Sequence, residues 1–557
     1  MQIISWRAVA LALGPFALCA LVYLPTLSDA FLSDDYAVLG RLWNWSQEGR
    51  LLPALLSKFY SGLDSASFYY RPLSMMSFGS NFALSGASPF GWHLTNLGLH
   101  LVSGALIFAI VRRFSLECGS GRSKNAPAIA AAVFLLFPTS PEAVAWVSGR
   151  YDLLALLFML VTLAFFQRAS RWYDQWGVTA LLAAACALAS KESAALLPAL
   201  VLAAALARHA ARSPAPATSI FVLGVRDATP WLVLGVAYFA LRAAIFGSPF
   251  QVYAGTSPVK ALASGAWMQP MSLVGAWVDA TLPVPFARTL FLIAFVVLLA
   301  LGTVASWARR ASRASWLAIA SSALLSIVLL LPHLPSLATN GEQGRLFYTT
   351  SALLALLVGF AVAATVARSA ATWQRAMVLG ATLVLIVAEL LLLRATVAPW
   401  SAAGAQARAL IAALPGVASE ISDTGYGLVL VPDQVGGVPF GRNAQGGLML
   451  PPTQPLPLSS RLIVQTPADL PAWPDAAKRG LVDALRRYPL SQLSALAAGQ
   501  AKGTALPTDY FCWAENSSRI VRLSLPLSAA QGDWLGAWQH ALGGSPCAEV
   551  AAELKEL

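Results

Sequence analysis

The feature of this sequence that most constrains its fold is a series of apolar segments, each of about the length needed to cross a bilayer. A window of transmembrane length finds about eleven of them. Their approximate extents are residues 7–27, 94–111, 126–141, 151–167, 176–190, 192–207, 229–246, 288–306, 315–332, 346–366 and 376–394. The segments predict an all-α, polytopic membrane domain that covers residues 1–397.

The composition agrees with a membrane protein. Of the 557 residues, 57% are hydrophobic and only 11% are charged, whereas a soluble chain carries about a quarter charged residues. The net charge of +11 lies largely in arginines beside apolar segments, where membrane proteins keep the charges that set their topology. We therefore expect membrane lipid, and no nucleic acid, as a partner.

The distribution of basic residues predicts the orientation of the chain. Basic loops alternate with loops that hold few cations, which places the basic loops in the cytoplasm. They contain Arg112, Arg113, Arg122, Lys124, Arg168, Arg171, Arg208, Arg212, Arg226, Arg309, Arg310, Arg313, Arg368 and Arg375. The N-terminus is then cytoplasmic, and everything after about residue 395 lies outside.

Residues 398–557 differ in character from the rest of the chain, because charged residues and prolines increase and the apolar runs shorten. Strands are predicted at Gly427, Arg461 and Arg519. Helices are predicted over residues 402–413, 475–487 and 530–541. This pattern indicates a small extracytoplasmic α/β domain. Cys512 and Cys547 could pair there if the compartment is oxidising.

Two adjacent carboxylates, Asp34 and Asp35, follow the first apolar segment. Neighbouring carboxylates repel each other, so one of them tends to keep a proton unless a cation or a hydrogen-bond donor relieves the repulsion. A divalent metal is one such cation, although two carboxylates alone are a weak metal signal. The structural alternative is a turn or a helix N-cap just outside the membrane.

Three other outside turns return charged residues to the membrane surface, where charges are costly and are paired or functional. They hold Glu142, Arg150 and Asp152, then Lys191 and Glu192, then Glu342 and Arg345. The structural alternative is ion pairing among these side chains. His93, Asn96 and His100 share one face of the helix that opens the second segment. Polar packing between membrane helices is the alternative there.

Together these residues suggest sugar transfer from a lipid phosphate. Breaking the C1–O bond of the donor gives oxocarbenium character. The departing phosphate needs cations, and the incoming hydroxyl needs a base. We expect Lys191 and Arg345 to hold the phosphate, with Arg150 as a third cation. His93, Glu142, Glu192 and Glu342 would support the site.

An ordered series of motifs resembles the multispanning part of the TPR-containing O-mannosyltransferases. The motifs are Arg71-Pro-Leu-Ser-Met-Met-Ser-Phe, Pro89-Phe-Gly-Trp-His-Leu-Thr-Asn-Leu-Gly-Leu-His100, Phe137-Pro138, Glu142-Ala-Val-Ala-Trp-Val-Ser-Gly-Arg150 and Ser190-Lys191-Glu192. The resemblance implies a GT-C fold and a polyprenyl-phosphate sugar donor. It also gives the role of catalytic base to Asp34, with Asp35 beside it; Asp35 and Asp152 are the next candidates.

The chain departs from the family pattern in three places. Phe137 stands where the family has His, and Tyr151 stands where it has Lys. The 34-residue period of a TPR array is absent from residues 398–557. These departures leave the acceptor open among a glycan, a lipid and a protein.

Two other classes of protein remain as alternatives. A transporter or flippase would show inverted repeats and charges near the bilayer midplane, whereas the charges here gather at one face. A non-catalytic envelope assembly protein would tolerate the loss of Asp34. The Ala- and Arg-rich composition favours a bacterial inner membrane, with undecaprenyl phosphate as the carrier lipid.

Overall fold

The fold is described from a computed structural model. It describes residues 6–56, 69–117, 125–212, 216–249, 275, 278–279, 281–307, 310–329, 344–367, 372–421, 427–458, 461–469, 509–525 and 534–555. These residues fall into two compact units. The helical unit comprises Met1–Leu24, Phe68–Met75 and His93–Val397. The second unit comprises Pro25–Ser67, Met76–Trp92 and Ala398–Leu557.

Apolar helices build the helical unit. Their bounds are α1 Trp6–Tyr23, α5 Pro89–Glu117, α6 Ala126–Leu135, α7 Pro141–Val144, α8 Arg150–Phe166, α9 Gln175–Leu188, α10 Leu197–Arg212, α11 Ala217–Phe246, α12 Pro285–Trp307, α13 Arg310–Val328, α14 Tyr348–Ala367 and α15 Thr372–Glu420. The first four residues of α4, Pro72–Ser85, also belong to this unit, whereas α5 up to Trp92 and α15 from Ala398 belong to the second unit.

Eight helices of the described chain are long and apolar enough to cross a membrane, and three apolar helices are shorter. Each of the eleven predicted segments overlaps one of these helices. The prediction of a mostly helical, multi-pass membrane protein is therefore confirmed, while the number of spans stays a prediction. Two of the short helices, α6 and α9, correspond to predicted segments 126–141 and 176–190.

Burial explains why the short helix α6 can belong to the helical unit. Every residue of α6 is buried, and α6 packs against α1 and α14. Helix α14 packs in turn against α12 and α13. Trp316, Leu357 and Ala361 form an apolar cluster at the contact between α13 and α14. Small side chains allow the backbones of membrane helices to approach closely.

The second unit contains α2 Asp34–Gln47 and α3 Leu51–Leu55. Its sheet has the order β4-β1-β5-β6, from Leu462–Gln465, Gly427–Leu430, Asp509–Ala514 and Arg519–Leu523. Strand β1 is parallel to β4 and β5, and β6 is antiparallel to β5. A two-stranded hairpin, β2 Gln434–Val435 and β3 Val438–Pro439, and three short helices, α16 Gln445–Leu448, α17 Trp534–Leu542 and α18 Ala548–Lys555, complete the unit.

The predicted C-terminal α/β part is confirmed, with one difference in detail. Strand β5 was not predicted, and it is the strand that joins β1 to β6. The predicted helix 475–487 lies outside the described residues. Cys512 and Cys547 form a disulfide in the apolar core of this unit. The sequence had left this pairing open.

The sequence predicted a last span over residues 376–394 and a separate helix over residues 402–413. This division into two helices is wrong. They belong to one helix, α15, of 49 residues. Pro399 lies inside it and removes one backbone donor. The following run Ser401-Ala-Ala-Gly-Ala-Gln-Ala is rich in alanine, the strongest helix former. The helix therefore continues past the proline.

Candidate functional site

Lys191 and Asp152 form a buried ion pair in the helical unit. Lys191 Nζ lies 2.6 Å from both carboxylate oxygens of Asp152, and the two side chains are 9% and 6% exposed. The start of α4 holds the lysine turn in place. Leu73 N donates to the carbonyl oxygen of Ala189 at 3.1 Å, and Ser74 Oγ donates to that of Ser190 at 2.9 Å. The structural alternative for Lys191, pairing with a carboxylate, is thus realised.

Glu192, the next residue, pairs with two arginines. Arg71 donates to both of its oxygens, with the shortest distance 2.7 Å from Nη2 to Oε2. Arg242 Nη1 lies 3.5 Å from Oε1. The Arg71 guanidinium also lies over the Tyr151 ring, 4.7 Å from its centroid. The sequence reasoning missed the role of Arg71, although this arginine opens the first family motif; it also missed Arg242, inside α11.

Glu142 holds the turn that leads into α14. Its Oε2 accepts hydrogen bonds from the backbone N–H groups of Gly344 at 2.6 Å and Arg345 at 2.9 Å, and its Oε1 lies 3.5 Å from Arg345 Nε. Residue 344 must be glycine, because a Cβ atom there would overlap the carbonyl oxygen of Thr139. The Arg345 guanidinium lies over the Trp146 ring, 4.8 Å from its centroid. Glu142 therefore positions Arg345.

Arg150 is fully buried and bound by Asn96 of α5. Its Nε donates to Asn96 Oδ1 at 2.8 Å, while Asn96 Nδ2 donates to the carbonyl oxygen of Trp146 at 2.8 Å. His93 lies one turn before Asn96 and is also buried. His100 contacts Tyr348 OH through Nδ1 at 2.7 Å. The shared face of α5 is thus used for packing between helices.

These contacts define one charged cluster in the helical unit. Its members are Arg71, Glu142, Arg150, Asp152, Lys191, Glu192, Arg242 and Arg345. Burial lowers the pKa of the Lys191 ammonium, and the Asp152 carboxylate opposes this shift. The positive charges of Arg345 and Arg71 lower the pKa further. The described cluster has five cations and three carboxylates, so its formal excess is about two positive charges.

Asp34 and Asp35 lie in the second unit, in the first turn of α2. Asp35 is 2% exposed, and its Oδ2 accepts a hydrogen bond from Leu32 N at 3.1 Å. Asp34 is half-buried. Acidic residues in a first turn also suit the helix dipole. Asp35 therefore closes the turn, and Asp34 is the more accessible of the two.

A turn of the C-terminal region, Phe440–Asn443, holds Asp34 and its neighbour; we call it the clamp turn. Asn443 Nδ2 donates to Asp34 Oδ1 at 2.7 Å. Ser33 Oγ donates to the carbonyl oxygen of Arg442 at 2.6 Å, and Ser33 N donates to that of Phe440 at 3.2 Å. Asn443 has φ of 58°, a conformation that asparagine tolerates better than most residues.

The clamp turn is itself supported by the C-terminal helix. Arg442 pairs with Asp433, with Nε 2.9 Å from Oδ2. Glu553 of α18 accepts hydrogen bonds from the backbone N–H groups of Asp433 at 2.8 Å and Gln434 at 3.1 Å. Burial raises the pKa of Glu553 to about 7. No sequence pattern marked Asn443, because its partner is 409 residues away.

The described residues contain no group of three or more His, Cys, Asp or Glu side chains that could hold a metal ion. The Asp34 and Asp35 oxygens that have described partners accept hydrogen bonds from an amide and a backbone N–H. Glu342, the remaining predicted site residue, lies outside the described residues.

The predicted site residues thus fall into two groups. The structure brings Glu142, Arg150, Asp152, Lys191, Glu192 and Arg345 together in the helical unit, with His93 one turn from Asn96. Asp34 and Asp35 belong to the second unit.

Comparison with known proteins gives partial matches. The chain is 32% identical over 198 residues to the protein O-mannosyl-transferase Tmtc1 of Drosophila melanogaster, which is 34% of this chain and 22% of that protein. It is 34% identical over 196 residues to Tmtc2 of the same organism, or 32% of this chain and 20% of that protein. The chain thus spans about a fifth of the length of these curated relatives. No family model matches it.

Two solved structures resemble most of the chain weakly. The match to the crystal structure of ArnT from Cupriavidus metallidurans in the apo state covers 85% of this chain and 92% of the ArnT chain, with 14% identity and a TM-score of 0.41. The same protein bound to undecaprenyl phosphate gives a TM-score of 0.35 at 15% identity. Both scores are low, so these likenesses add nothing to the assignment. The resemblance predicted from the motifs is confirmed by sequence: about a third of this chain is similar to protein O-mannosyl-transferases.

Proposed function

We propose that this protein is a glycosyltransferase that moves a sugar from a polyprenyl-phosphate-linked donor to a hydroxyl acceptor. The observation that carries the proposal is the grouping of five cations among the buried side chains of the charged cluster. Lys and Arg side chains are the groups that bind phosphate in proteins. A lipid-linked phosphate supplies both the anion and a reason for its position in a membrane protein.

The charge of the cluster suits the departing phosphate better than the intact donor. In the donor the phosphate is a diester with one negative charge. When the C1–O bond to phosphate breaks, the phosphate leaves with the electron pair of that bond. As a monoester it then carries nearly two negative charges at neutral pH. Cations that compensate the second charge stabilise the transition state more than the ground state.

Within the cluster we assign the phosphate to Lys191 and Arg345, with Arg150 as a third cation. Arg345 is held in place by Glu142 and Trp146. Its side chain therefore loses little conformational entropy when it binds the phosphate. Lys191 is shared with Asp152, and an arriving phosphate would compete for its protons. Arg71 repels Lys191 electrostatically, which favours an anion near both.

We propose Asp34 as the general base. It would accept the proton of the acceptor hydroxyl while the acceptor oxygen forms the new bond to C1. Among the three candidate carboxylates, Asp35 is buried and bonded to Leu32 N, and Asp152 has both oxygens on Lys191. Asp34 is the accessible one, and Asn443 positions it from the clamp turn.

We also propose that the reaction takes place on the extracytoplasmic side of a bacterial inner membrane. The alternation of the arginine-rich loops supports this orientation. The disulfide between Cys512 and Cys547 agrees with it, because disulfides persist in oxidising compartments.

Mass spectrometry of envelope glycans and of polyprenyl-phosphate sugars tests the function. Cells of the source organism that lack the protein should lose one glycan modification and accumulate its lipid-linked donor. The wild-type gene should restore both. An Asp34→Asn protein that inserts normally should restore neither. If the glycans and the lipid-linked sugars are the same with and without the protein, it is not a transferase of this kind.

A further inference from the structure

Helix α18 contacts the hairpin of β2 and β3 through two glutamates on one face. Glu549 and Glu553 are four residues apart, so they lie one above the other on the helix surface. Glu553 accepts hydrogen bonds from the backbone N–H groups of Asp433 at 2.8 Å and Gln434 at 3.1 Å. Glu549 accepts one from the backbone of Gly436. Three backbone donors of the hairpin are therefore bound by this one helix.

The same hairpin carries the clamp turn. Phe440 N donates to the carbonyl oxygen of Asp433 at 2.8 Å, and Gly441 N donates to that of Pro432 at 3.1 Å. Arg442 pairs with the Asp433 side chain, with Nε 2.9 Å from Oδ2. Asp433 is thus bonded to α18 through its N–H group, and to the clamp turn through its carbonyl oxygen and its carboxylate. Loss of the α18 contact therefore removes a direct support of the clamp turn.

The clamp turn holds the proposed base on its other side. Asn443 Nδ2 donates to Asp34 Oδ1 at 2.7 Å. Ser33 Oγ, beside the base, donates to the carbonyl oxygen of Arg442 at 2.6 Å. All residues of this series lie within the second unit. One continuous series of direct contacts therefore runs from α18 to the base.

Helix α18 is too short to be stable by itself. It has 8 residues, whereas isolated helices shorter than about 12–15 residues are marginal in water. Val550 and Leu554 of this helix are fully buried in the apolar core of the unit. The disulfide joins Cys547, the residue before the helix, to Cys512 of β5. The carbonyl oxygen of Cys547 accepts a hydrogen bond from Ala551 N at 3.0 Å, so the disulfide fixes the first turn of α18.

We propose that Glu553 is a positioning residue for Asp34, and that the disulfide regulates transfer because it fixes the helix on which Glu553 lies. The inference rests on the proposed role of Asp34 as the general base. Formation of the disulfide removes two electrons and two protons from the two thiols, and a disulfide oxidant of the same compartment takes them up as it becomes two thiols. In the reduced protein α18 loses its covalent attachment to β5, and the clamp turn loses support. Asp34 then reaches the reactive geometry less often.

Membranes of cells that lack the protein supply the accumulated donor and the unmodified acceptor for the test. The purified full chain is added, mass spectrometry follows the product glycan, and binding of undecaprenyl phosphate is measured separately. Glu553→Ala should lower the initial rate of transfer about ten- to a hundredfold, because small displacements of a reacting group cost factors of this size. Its affinity for undecaprenyl phosphate should equal that of wild type. Glu553→Gln, which keeps an acceptor oxygen, should retain most of the rate.

Lys555→Ala is the matched control, because Lys555 is exposed on the same helix; it should transfer as fast as wild type. Reduction tests the disulfide. Dithiothreitol should slow wild type about as much as Glu553→Ala does, and reoxidation should restore the rate. Cys547→Ser should be equally slow with and without dithiothreitol, because the reagent then has no bond to break at this position.

The Asp34→Asn background separates positioning of the base from a general loss of structure. There, neither Glu553→Ala nor reduction should change the residual rate, because the base that they position is already absent. A further fall in that background would show that α18 only stabilises the unit, and would overturn the positioning role. If Asp34→Asn is slow while Glu553→Ala and reduced wild type transfer at the full rate, the inference is refuted and the proposed function stands. Full transfer by Asp34→Asn itself would refute both the base and its positioning.

Discussion

Replacing Lys191 by methionine separates its two possible roles, partner of Asp152 and ligand of the donor phosphate. The substitution keeps most of the side-chain volume and removes the charge. Asp152, 6% exposed in its side chain, then remains as a buried carboxylate whose two 2.6 Å contacts are lost. Breaking a buried pair in this way typically costs about 3–5 kcal/mol. We expect Lys191→Met alone to be clearly destabilised in thermal unfolding.

The double variant Lys191→Met, Asp152→Leu removes the unpaired carboxylate. Replacing a buried ion pair with apolar residues of similar volume is often neutral or stabilising, so the melting temperature should return to near that of wild type. Phosphate binding should not return, because a hydrogen bond to a charged group is worth about 1.5–3 kcal/mol. Undecaprenyl phosphate should therefore bind the double variant roughly ten- to a hundredfold more weakly than wild type.

Undecaprenol, which lacks the phosphate, is the matched ligand for this assay and should bind both proteins alike. Arg226→Gln is the matched protein control, because Arg226 is 68% exposed in an ion pair with Asp227 and such pairs contribute about 0–1 kcal/mol. If the double variant is well folded and binds undecaprenyl phosphate as tightly as wild type, Lys191 is only the structural partner of Asp152.

Four further outcomes are expected from the second unit. Asp34→Asn should slow transfer about a hundred- to ten-thousandfold in a transfer assay without loss of donor binding. Asn443→Gly, which keeps the positive φ, should lower kcat more than it raises KM and move the acid limb of the pH–rate profile to higher pH. An unchanged pH–rate profile would make Asn443 a structural residue. The pKa of Glu553 is raised to about 7 from 4.5. The Glu553 carboxyl therefore contributes fully to the stability of the fold below about pH 4.5, and this contribution is lost as the pH rises to about 7. Glu553→Gln should have a higher melting temperature than wild type at pH 8 but not at pH 5. Cys512 and Cys547 should react with a thiol reagent only after reduction, and Cys547→Ser should lower the free energy of unfolding of the C-terminal unit by about 2–4 kcal/mol. Labelling of Cys512 or Cys547 in the untreated wild type, located by peptide mapping, would contradict both the pairing and the assigned side.

The helices could be predicted from sequence because hydrophobic length is a local property. Segment 288–306 differs from α12, Pro285–Trp307, by only a few residues at each end. Strands are harder to predict. The run Asp509-Tyr-Phe-Cys-Trp-Ala514 forms β5, yet only its pairing with β1 and β6 distinguishes it from any other short apolar run.

Six of the eight members of the charged cluster are among the residues selected from the sequence, but the partners of these side chains could not be predicted. The types of residue in the outside turns indicated charge at a membrane surface. However, Lys191 and Asp152 are 39 residues apart, and Arg71 and Glu192 are 121 apart. Sequence carries no distance between separate loops, so the choice between ion pairing and ligand binding needed the fold. Arg242 was missed because it lies inside an apolar helix, where a single charge does not interrupt the hydrophobic pattern.

The bond between Asp34 and Asn443 has a consequence for biosynthesis. The two residues are separated by 409 positions, and ribosomes add about 5–20 residues per second. Asp34 therefore leaves the ribosome roughly 20–80 seconds before its amide partner. Until then the clamp turn does not exist, and the proposed base has no fixed orientation. A nascent chain in the membrane is thus a poor catalyst, and a premature stop before residue 443 would yield an inserted protein without a positioned base.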